Sequence, residues 1–453
     1  MGIELGAVHK AAIKKQTNAW GGAALQLGAG DGFEFNSDTL KANAEMIMNN
    51  GITGAPFKRP GSAGPRKPNG DVSFDLYYKC SSWRGLAAGF GASAHTNPSA
   101  GVYQQDLTVP VSPFTLPIFG MAFLGVELVR EVPTLKVSAI KLDWSEADQR
   151  GKASISYVGH DVEMNVGSPD ADLVVATAAA ADGAKAIAAQ PSFPSRITFT
   201  ATGVTELVTT LVGVDIDGVQ RTEVHTVSTD GLTFLSTHIY RSVTSITSAS
   251  IAGAGNFSAG VQNGVNNQST IAAVTTDSDR TEILFSQMEF YINEQAGADF
   301  AAGDEQYLSK ISLGIEMSLD SRVTTEFGNR VSEPSFAGAG DPKVTFGASF
   351  SAFGSRERRH IFDSLGKKQL KAKLVFTGPP ISGTATPNSL TIWLNGLQLA
   401  DGADINVGGF GVLPYDIGGE AHTVLAAPTG FPAGLVAPIM GRLVNGQATS
   451  YLA

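Results

Sequence analysis

Two segments of the chain, residues 71–80 and residues 310–319, alternate between apolar and polar side chains. Successive side chains of a strand point to opposite faces, so each segment is predicted to be a strand with one buried face and one solvent-exposed or partner-facing surface. A slip of one residue would exchange the two faces, so the pairing register is strongly specified. The apolar positions are Val72, Phe74, Leu76, Tyr78 and Cys80 in the first segment, and Ile311, Leu313, Ile315, Met317 and Leu319 in the second.

The same pattern predicts further strands along most of the chain. Residues 135–144 and 153–158 are apolar-rich runs on either side of a polar turn, which is typical of a β-hairpin. Other short strands are expected within residues 101–165, 196–261, 283–292, 307–319, 343–352, 370–377 and 390–399.

Helical patterns are fewer and shorter. A helix is predicted from Asp38 to Asn49, with Ser37 as its N-cap and Gly51 near its end. A second, short helix is predicted over residues 82–90, and a third over residues 356–365.

The chain has 453 residues, which is more than a single hydrophobic core normally organises, so two domains are expected. Residues 166–192 are rich in alanine and are predicted to be a linker with at most a helical turn. The short strands that follow have the spacing of a small β-sandwich. We therefore predict a discontinuous β domain, residues 1–165 and 273–453, interrupted by an inserted domain over residues 166–272.

Composition narrows the classes of function. The net charge is −10, which argues against tight nucleic-acid binding because that needs clustered Lys and Arg. Cys80 is the only cysteine, so the chain has no internal disulfide, and its strand position predicts a buried thiol. The N-terminus lacks the apolar core of an export signal, and no run of about 18 apolar residues occurs. We expect a soluble product made in the cytoplasm.

Motifs for catalysis or cofactors are weak. The glycine-rich residues 27–32 lack the rest of a dinucleotide fingerprint, so a turn is predicted there. Residues 215–218, Asp-Ile-Asp-Gly, lack the later ligands of a calcium loop, so a hairpin turn is predicted. The seven histidines are scattered, and no nucleophile elbow occurs. We predict no enzymatic activity, no cofactor and no metal site; a β-rich enzyme acting on glycans is the less favoured alternative.

Two basic clusters are the candidate contact sites. Lys58, Arg59, Arg66 and Lys67 lie in a segment too rich in Pro and Gly to be regular. They are either solvated or contact an acidic surface of a neighbouring subunit. A second cluster, residues 356–359, contains three arginines and is predicted to be the charged outer face of the third helix.

The order of these elements resembles the major tail tube proteins of tailed bacteriophages. The resemblance covers residues 1–165 and 275–453 and has no diagnostic signature. It is carried by the glycine-rich start, the strand 71–80 with Ser82-Trp83-Arg84-Gly85-Leu86, the hairpin 135–158, and the C-terminal segments Met288-Glu289-Phe290, Leu308–Leu319 with Arg322-Val323, Val344–Phe350, Phe362-Asp363 and Ser389–Leu394. Within the central segment, Tyr240–Thr247 resembles Ig-like ornaments of virion proteins.

The resemblance implies a fold and a role. The expected fold is mainly β, a tail-tube sandwich or barrel with one or two short helices and an inserted Ig-like β-sandwich. The expected role is structural: rings, usually hexameric, stack head to tail into a hollow virion tube through which viral DNA passes. Expected partners are further copies of the chain, with tail sheath, tape measure, tail terminator and baseplate proteins. The alternative is a tail-tip, fibre or capsid decoration protein that binds surfaces through the inserted domain.

Overall fold

A computed structural model describes most of the chain. The described residues are 10–47, 62–111, 115–125, 129–165, 173–178, 183–191, 195–204, 206–227, 233–252, 255–261, 266, 268–276, 280–322, 331–335, 341–350, 363–400, 404–405 and 415–452. The fold is 55% strand and 6% helix, which confirms the predicted mainly-β class. No helix in these ranges is long and apolar enough to cross a membrane.

The N-terminal arm contributes twelve of the described strands and one helix. The helix α1, Trp83–Phe90, ends at Gly91, whose left-handed φ of 90° favours glycine. The strands are β1 Lys10–Lys15, β2 Gly32–Phe33, β3 Ser37–Asp38, β4 Ala44–Ile47, β5 Ser62–Arg66, β6 Asn69–Asp75, β7 Ala92–Ser99, β8 Val102–Thr108, β9 Phe119–Leu124, β10 Val129–Ser145, β11 Lys152–Gly159 and β12 Glu163–Asn165.

The central segment forms a second, smaller β structure. Its eight described strands make two four-stranded antiparallel sheets, in the orders β13-β20-β15-β18 and β14-β19-β16-β17. We call this segment the insert and the remainder the body. The insert strands are β13 Val174–Ala178, β14 Gly183–Lys185, β15 Ile197–Thr202, β16 Glu206–Asp215, β17 Gln220–Val227, β18 Thr233–Leu235, β19 Tyr240–Ala252 and β20 Asn256–Val261.

The C-terminal arm returns to the body. It begins with a short helix, α2 Gln268–Ala273, and contains two single 3-10 turns at Phe285–Gln287 and Ala302–Asp304. Its strands are β21 Met288–Glu294, β22 Glu305–Gln306, β23 Lys310–Glu316, β24 Lys343–Phe350, β25 Leu370–Pro380, β26 Pro387–Leu399, β27 Asp404–Ile405, β28 Tyr415–Ala421 and β29 Ile439–Asn445.

The two arms are interleaved in two antiparallel sheets of the body. The first sheet runs β3-β6-β11-β10-β23-β24-β28, and β9, β1 and β2 extend it beside the first half of β10. The second sheet runs β22-β21-β25-β26-β29-β8-β7. Strand β26 also pairs with β28, so the two sheets form one continuous, barrel-like array. Strands from distant parts of the chain therefore share one core.

Aromatic side chains join the two sheets across this core. The Trp144 ring on β10 lies 4.7 Å from the Phe376 ring on β25, and Phe290 on β21 stacks 5.8 Å from Phe346 on β24, both distances between ring centroids. The buried parity is the one that the sequence predicts, because residues 71–80 and 310–317 alternate between buried and less buried side chains. Cys80 is buried, as expected.

The helix α1 is confirmed and packs tightly on β10. Its seven buried residues include Leu86, which is fully enclosed. A Cβ atom placed on Gly89 would lie 2.3 Å from Cδ1 of Ile140, so glycine lets the helix backbone approach the sheet.

Two local predictions are wrong. Of residues 38–47, the described part of the first predicted helix, residues 38–41 run along β6, where Thr39 donates its N–H to Asp71 O, and residues 44–47 form β4 and pair with β5. Asn43, between them, has a φ of 42°, outside the helical range. Pairing with a strand 30 residues away overrides the local helical pattern. The predicted linker contributes the strands β13 and β14 to the insert. Of the third predicted helix, residues 356–362 lie outside the described residues, and 363–365 are helical.

The insert has its own core. The cluster includes Phe199, Leu211, Tyr240, Ile246 and Phe257 and shares no residue with the body core. Helix α2, by contrast, packs on the body: Ile271 and Val274 contact a cluster that contains Ala12 and Val129. The body thus begins a few residues before residue 273.

Candidate assembly surfaces

The outer face of the first body sheet is polar and built from small residues. Opposite the core side, one row across the strands contains Ser154, Lys141, Gly314 and Thr345, which are register partners on β11, β10, β23 and β24. Lys141 forms an ion pair with Asp143 on the same face, at 2.9 Å. This face therefore mixes hydroxyl groups with charges of both signs.

A shallow groove of about 590 Å³ lies on this face. Its lining includes Ser138, Ser312, Gly314, Glu316 and Thr345. Glu316 is the one carboxylate among the residues that line it, whereas glycoside hydrolysis generally uses a pair of carboxylates. The chemistry of the groove is that of a hydrogen-bonding contact surface.

The second body sheet ends in the strand β7. Among the described strands, β7 pairs with β8 alone, so the described part of the chain places no strand against its other edge. The hairpin β7–β8 is braced by the His95 and Tyr103 rings, which stack at 5.6 Å, and its tip carries Pro98. Such an edge can accept a strand from another chain.

The predicted basic contact cluster divides into two parts. Lys58 and Arg59 lie outside the described residues. Arg66 does not lie in an irregular loop: it ends the strand β5, is 8% exposed, and donates to the Asp217 carboxylate at 2.9 Å. Lys67 is partly buried, and its N–H donates to Asn43 O. Arg66 thus contacts an acid of its own chain, and the inter-subunit role predicted for Lys58, Arg59, Arg66 and Lys67 stays a prediction.

Arg66 belongs to an ionic junction between the body and the insert. Asp217 lies in the β16–β17 turn of the insert, while Asp161, 3.8 Å from the same guanidinium, lies at the end of the N-terminal arm. Arg196, which directly precedes β15 of the insert, donates two hydrogen bonds to Glu163 Oε1. Burial by itself would lower the pKa of Arg196, but Glu163 and the neighbouring Asp161 raise it. The guanidinium therefore stays charged within this junction.

Asn266 attaches the far end of the insert to the body. Its amide donates to the Glu131 carboxylate and to Leu25 O, and its Oδ1 accepts the N–H of Leu27. Glu131 is 1% exposed, so this amide supplies a hydrogen bond to a buried carboxylate. Both ends of the insert are thus fixed by polar contacts.

Inside the insert, one carboxylate organises a hydrogen-bond network. Glu223 accepts the backbone N–H groups of Thr237 and His238, the Tyr240 hydroxyl and His225 Nε2, at distances of 2.7 to 2.9 Å. Burial would raise the pKa of Glu223, but these donors outweigh it and lower the pKa to about 2. Burial, followed by the nearby Glu223, raises the pKa of Tyr240. The network stabilises the ionised carboxylate and the turn around it.

The Asp-Ile-Asp-Gly motif forms the predicted hairpin turn. Asp215 Oδ1 accepts the N–H groups of Asp217 and Val219, and Oδ2 accepts Arg221. Burial would raise the pKa of Asp215, yet the hydrogen bonds from Arg221 and the turn lower it. Within the described ranges, no group of three or more His, Cys, Asp or Glu is placed to hold a metal ion.

Comparison with models of known protein families finds no match, and comparison with curated proteins finds none either. The fold and these surfaces are therefore the basis for assigning a role.

Proposed function

We propose that this chain is a structural subunit of a bacteriophage tail tube. The observation that carries the proposal is the edge strand β7, which pairs on one side only among the described strands of a large two-sheet body. An unprotected edge usually invites unwanted pairing, whereas in a ring it would be covered by the next subunit. The body would form the wall of the ring, and head-to-tail contacts would stack the rings.

The construction of the body supports a scaffold role. Strand β10 of the N-terminal arm pairs with β23 of the C-terminal arm, and β8 pairs with β29 in the second sheet. Because both arms contribute to both sheets, the body is held together at many points and can transmit load. The insert leaves and rejoins this body as a separately cored, Ig-like ornament.

Charge supports the passage of DNA. A chain with a net charge of −10 repels phosphate on average, and the outer face of the first sheet mixes Lys141 with Asp143 and Glu316. Such a face offers DNA neither a strong positive groove nor a sequence-reading element. Viral DNA would move through the lumen without specific binding, and the chain would be located in the virion tail.

A second candidate function is that of a tail-tip, fibre or capsid decoration protein. It is favoured by one observation, the separate core of the insert, which lets that unit serve as a binding module. In that case the β7 edge would remain uncovered, and the chain would form a small oligomer.

Negative-stain electron microscopy of the purified chain at high concentration tests the proposal. We expect uniform rings or hollow tubes with a regular axial repeat. Small particles of uniform size that bind capsids and never form rings would contradict the tail-tube role and favour the second candidate. Turnover in a panel of glycan substrates would contradict both.

A further inference from the structure

One sheet of the insert presents an outer face whose middle carries no charge, while the exposed Glu206 and Arg241 lie at its ends. Along β16, the side chains opposite the insert core alternate with buried ones such as Leu211. Their register partners on β17 and β19 point to the same side. We call this surface the valine–threonine face; it consists of Val208, Thr210, Val212, Val214, Gln220, Thr222, Val224, Thr226, Ser242, Ser245, Thr247 and Ala249.

The face is partly exposed in the subunit, because five of its twelve residues are exposed and the other seven are half-buried. Val224 is 62% exposed, and Gln220, Thr222, Thr226 and Ala249 are exposed as well. On an ordinary surface about a quarter to a third of the residues are charged, so twelve positions would include roughly three or four charges. A face with no charge at these twelve positions and with five apolar side chains can be covered by a partner without burying an ionised group.

Charge identifies the partner that this face fits. Two copies of a chain with a net charge of −10 repel each other over most of their surfaces. The valine–threonine face adds nothing to that repulsion and has no ionised group to lose water when it is covered. A second copy can therefore approach here at the smallest electrostatic cost.

The area of the valine–threonine face also fits a contact between copies that are held together elsewhere. With strands about 4.8 Å apart and same-face residues about 6.8 Å apart, three strands of four residues cover roughly 400 Å². A contact of this size buries about 800 Å² in total, below the roughly 1,200 Å² of a stable complex. The face is too small to hold a partner by itself, but it is sufficient where each copy is already held by other contacts, because linked weak contacts reinforce one another.

We propose that the valine–threonine face is a contact between neighbouring copies of this chain, made by the insert of one copy on the surface of the next. This inference rests on the proposed assembly into rings and tubes. The face would add to the body contacts and lower the concentration at which the polymer forms.

The test is a pair of substitutions at one exposed position. Val224→Lys introduces a charge into the face, whereas Val224→Thr keeps a neutral, β-branched side chain and serves as the matched control. Assembly is followed by sedimentation of the full-length chain over a range of concentrations, with circular dichroism to verify folding. We expect Val224→Lys to raise the critical concentration about tenfold and Val224→Thr to leave it within about twofold.

The outcomes separate the two proposals. If the parent forms tubes and Val224→Lys forms them at the parent's critical concentration, this inference is overturned and the tail-tube role stands. If the parent forms only small oligomers that Val224→Lys disrupts, the contact stands and the tail-tube role falls. A parent that stays monomeric at every concentration contradicts both.

A thiol probe gives an independent measurement. The only native cysteine, Cys80, is buried, so Val224→Cys supplies one accessible thiol. We expect a maleimide to label it rapidly in the unassembled subunit and at least tenfold more slowly in the polymer. Equal labelling rates in both states would overturn the inference.

Discussion

The body and the insert are both two-sheet β structures, but they are held together in different ways. The body core brings together strands from both ends of the chain and is joined by aromatic pairs such as Trp144 with Phe376. The insert core comes from one contiguous segment and is smaller, with the Glu223 network beside it. The body therefore depends on contacts distant in sequence, whereas the insert depends more on local pairing and on one polar centre.

This difference can be measured separately in each unit. All four tryptophans, Trp20, Trp83, Trp144 and Trp393, lie in the body. Tryptophan fluorescence therefore reports unfolding of the body alone, while circular dichroism reports both units. Each prediction below assigns a change to one unit or to the junction between them.

The largest effect is expected in the body. Trp144→Ala removes a ring that is 1% exposed and packs against the Phe376 ring with 4.7 Å between ring centroids. Loss of a buried aromatic side chain costs about 3–5 kcal/mol of the free energy of unfolding, because a cavity remains. The fluorescence midpoint in denaturant should fall strongly, and the insert transition should stay in place. Trp144→Phe, which keeps a ring, should cost clearly less; equal losses for the two variants would contradict the packing argument.

The second effect is expected in the insert. Glu223→Gln keeps the size of the side chain but replaces a charged acceptor of several hydrogen bonds, which costs about 2–3 kcal/mol. Circular dichroism should show an earlier insert transition while tryptophan fluorescence is unchanged. A shift of the fluorescence transition by the same amount would mean that the two units unfold together.

The pH dependence of the stability of the insert tests the same carboxylate. The pKa of Glu223 is lowered from its usual 4.5 to about 2 in the folded insert. A carboxyl group with a lowered folded pKa stabilises the fold fully above its unfolded pKa and loses that contribution as the pH falls through the folded pKa. The parent insert should therefore lose stability between about pH 4.5 and pH 2, and Glu223→Gln should lose less, because Asp215, whose pKa is also lowered, still contributes.

Much of the strand content can be predicted from the sequence, and the reason is local. Alternation over residues 71–80 and 310–319 fixes which side chains face the core, and the apolar spacing of residues 82–90 indicates the helix α1. These signals need no knowledge of the partner strand.

The wrong local predictions and the unpredicted junction share one physical cause, which is contact between segments far apart in sequence. Residues 38–47 have a helical pattern but pair with β6 and β5. Residues 174–178 and 183–185, in the alanine-rich segment, form strands because β20 and β19 are there to pair with them. The junction between Arg66 and Asp217 is harder to predict, since the two residues are 151 positions apart and no local pattern links them. A basic residue beside Lys67 gives no sign that its partner is an acid within the same chain.

The smallest effect is expected at that junction, and it distinguishes two roles for one residue. Arg66→Met removes the ion pair with Asp217 and the nearby contact to Asp161, whose side chains are 8% and 7% exposed. We expect a loss of about 1–2 kcal/mol in the coupling of body and insert, because two enclosed acids lose a cation. Small-angle scattering should show a wider range of insert positions, and both units should keep their own cores.

Lys152→Met, which removes a half-exposed lysine paired with Asp148, is the matched control. It should change neither the stability of the junction nor the range of insert positions. If Arg66→Met instead leaves the position of the insert unaltered and weakens assembly as strongly as Lys58→Met or Arg59→Met, then Arg66 acts between subunits, as its basic neighbours suggest.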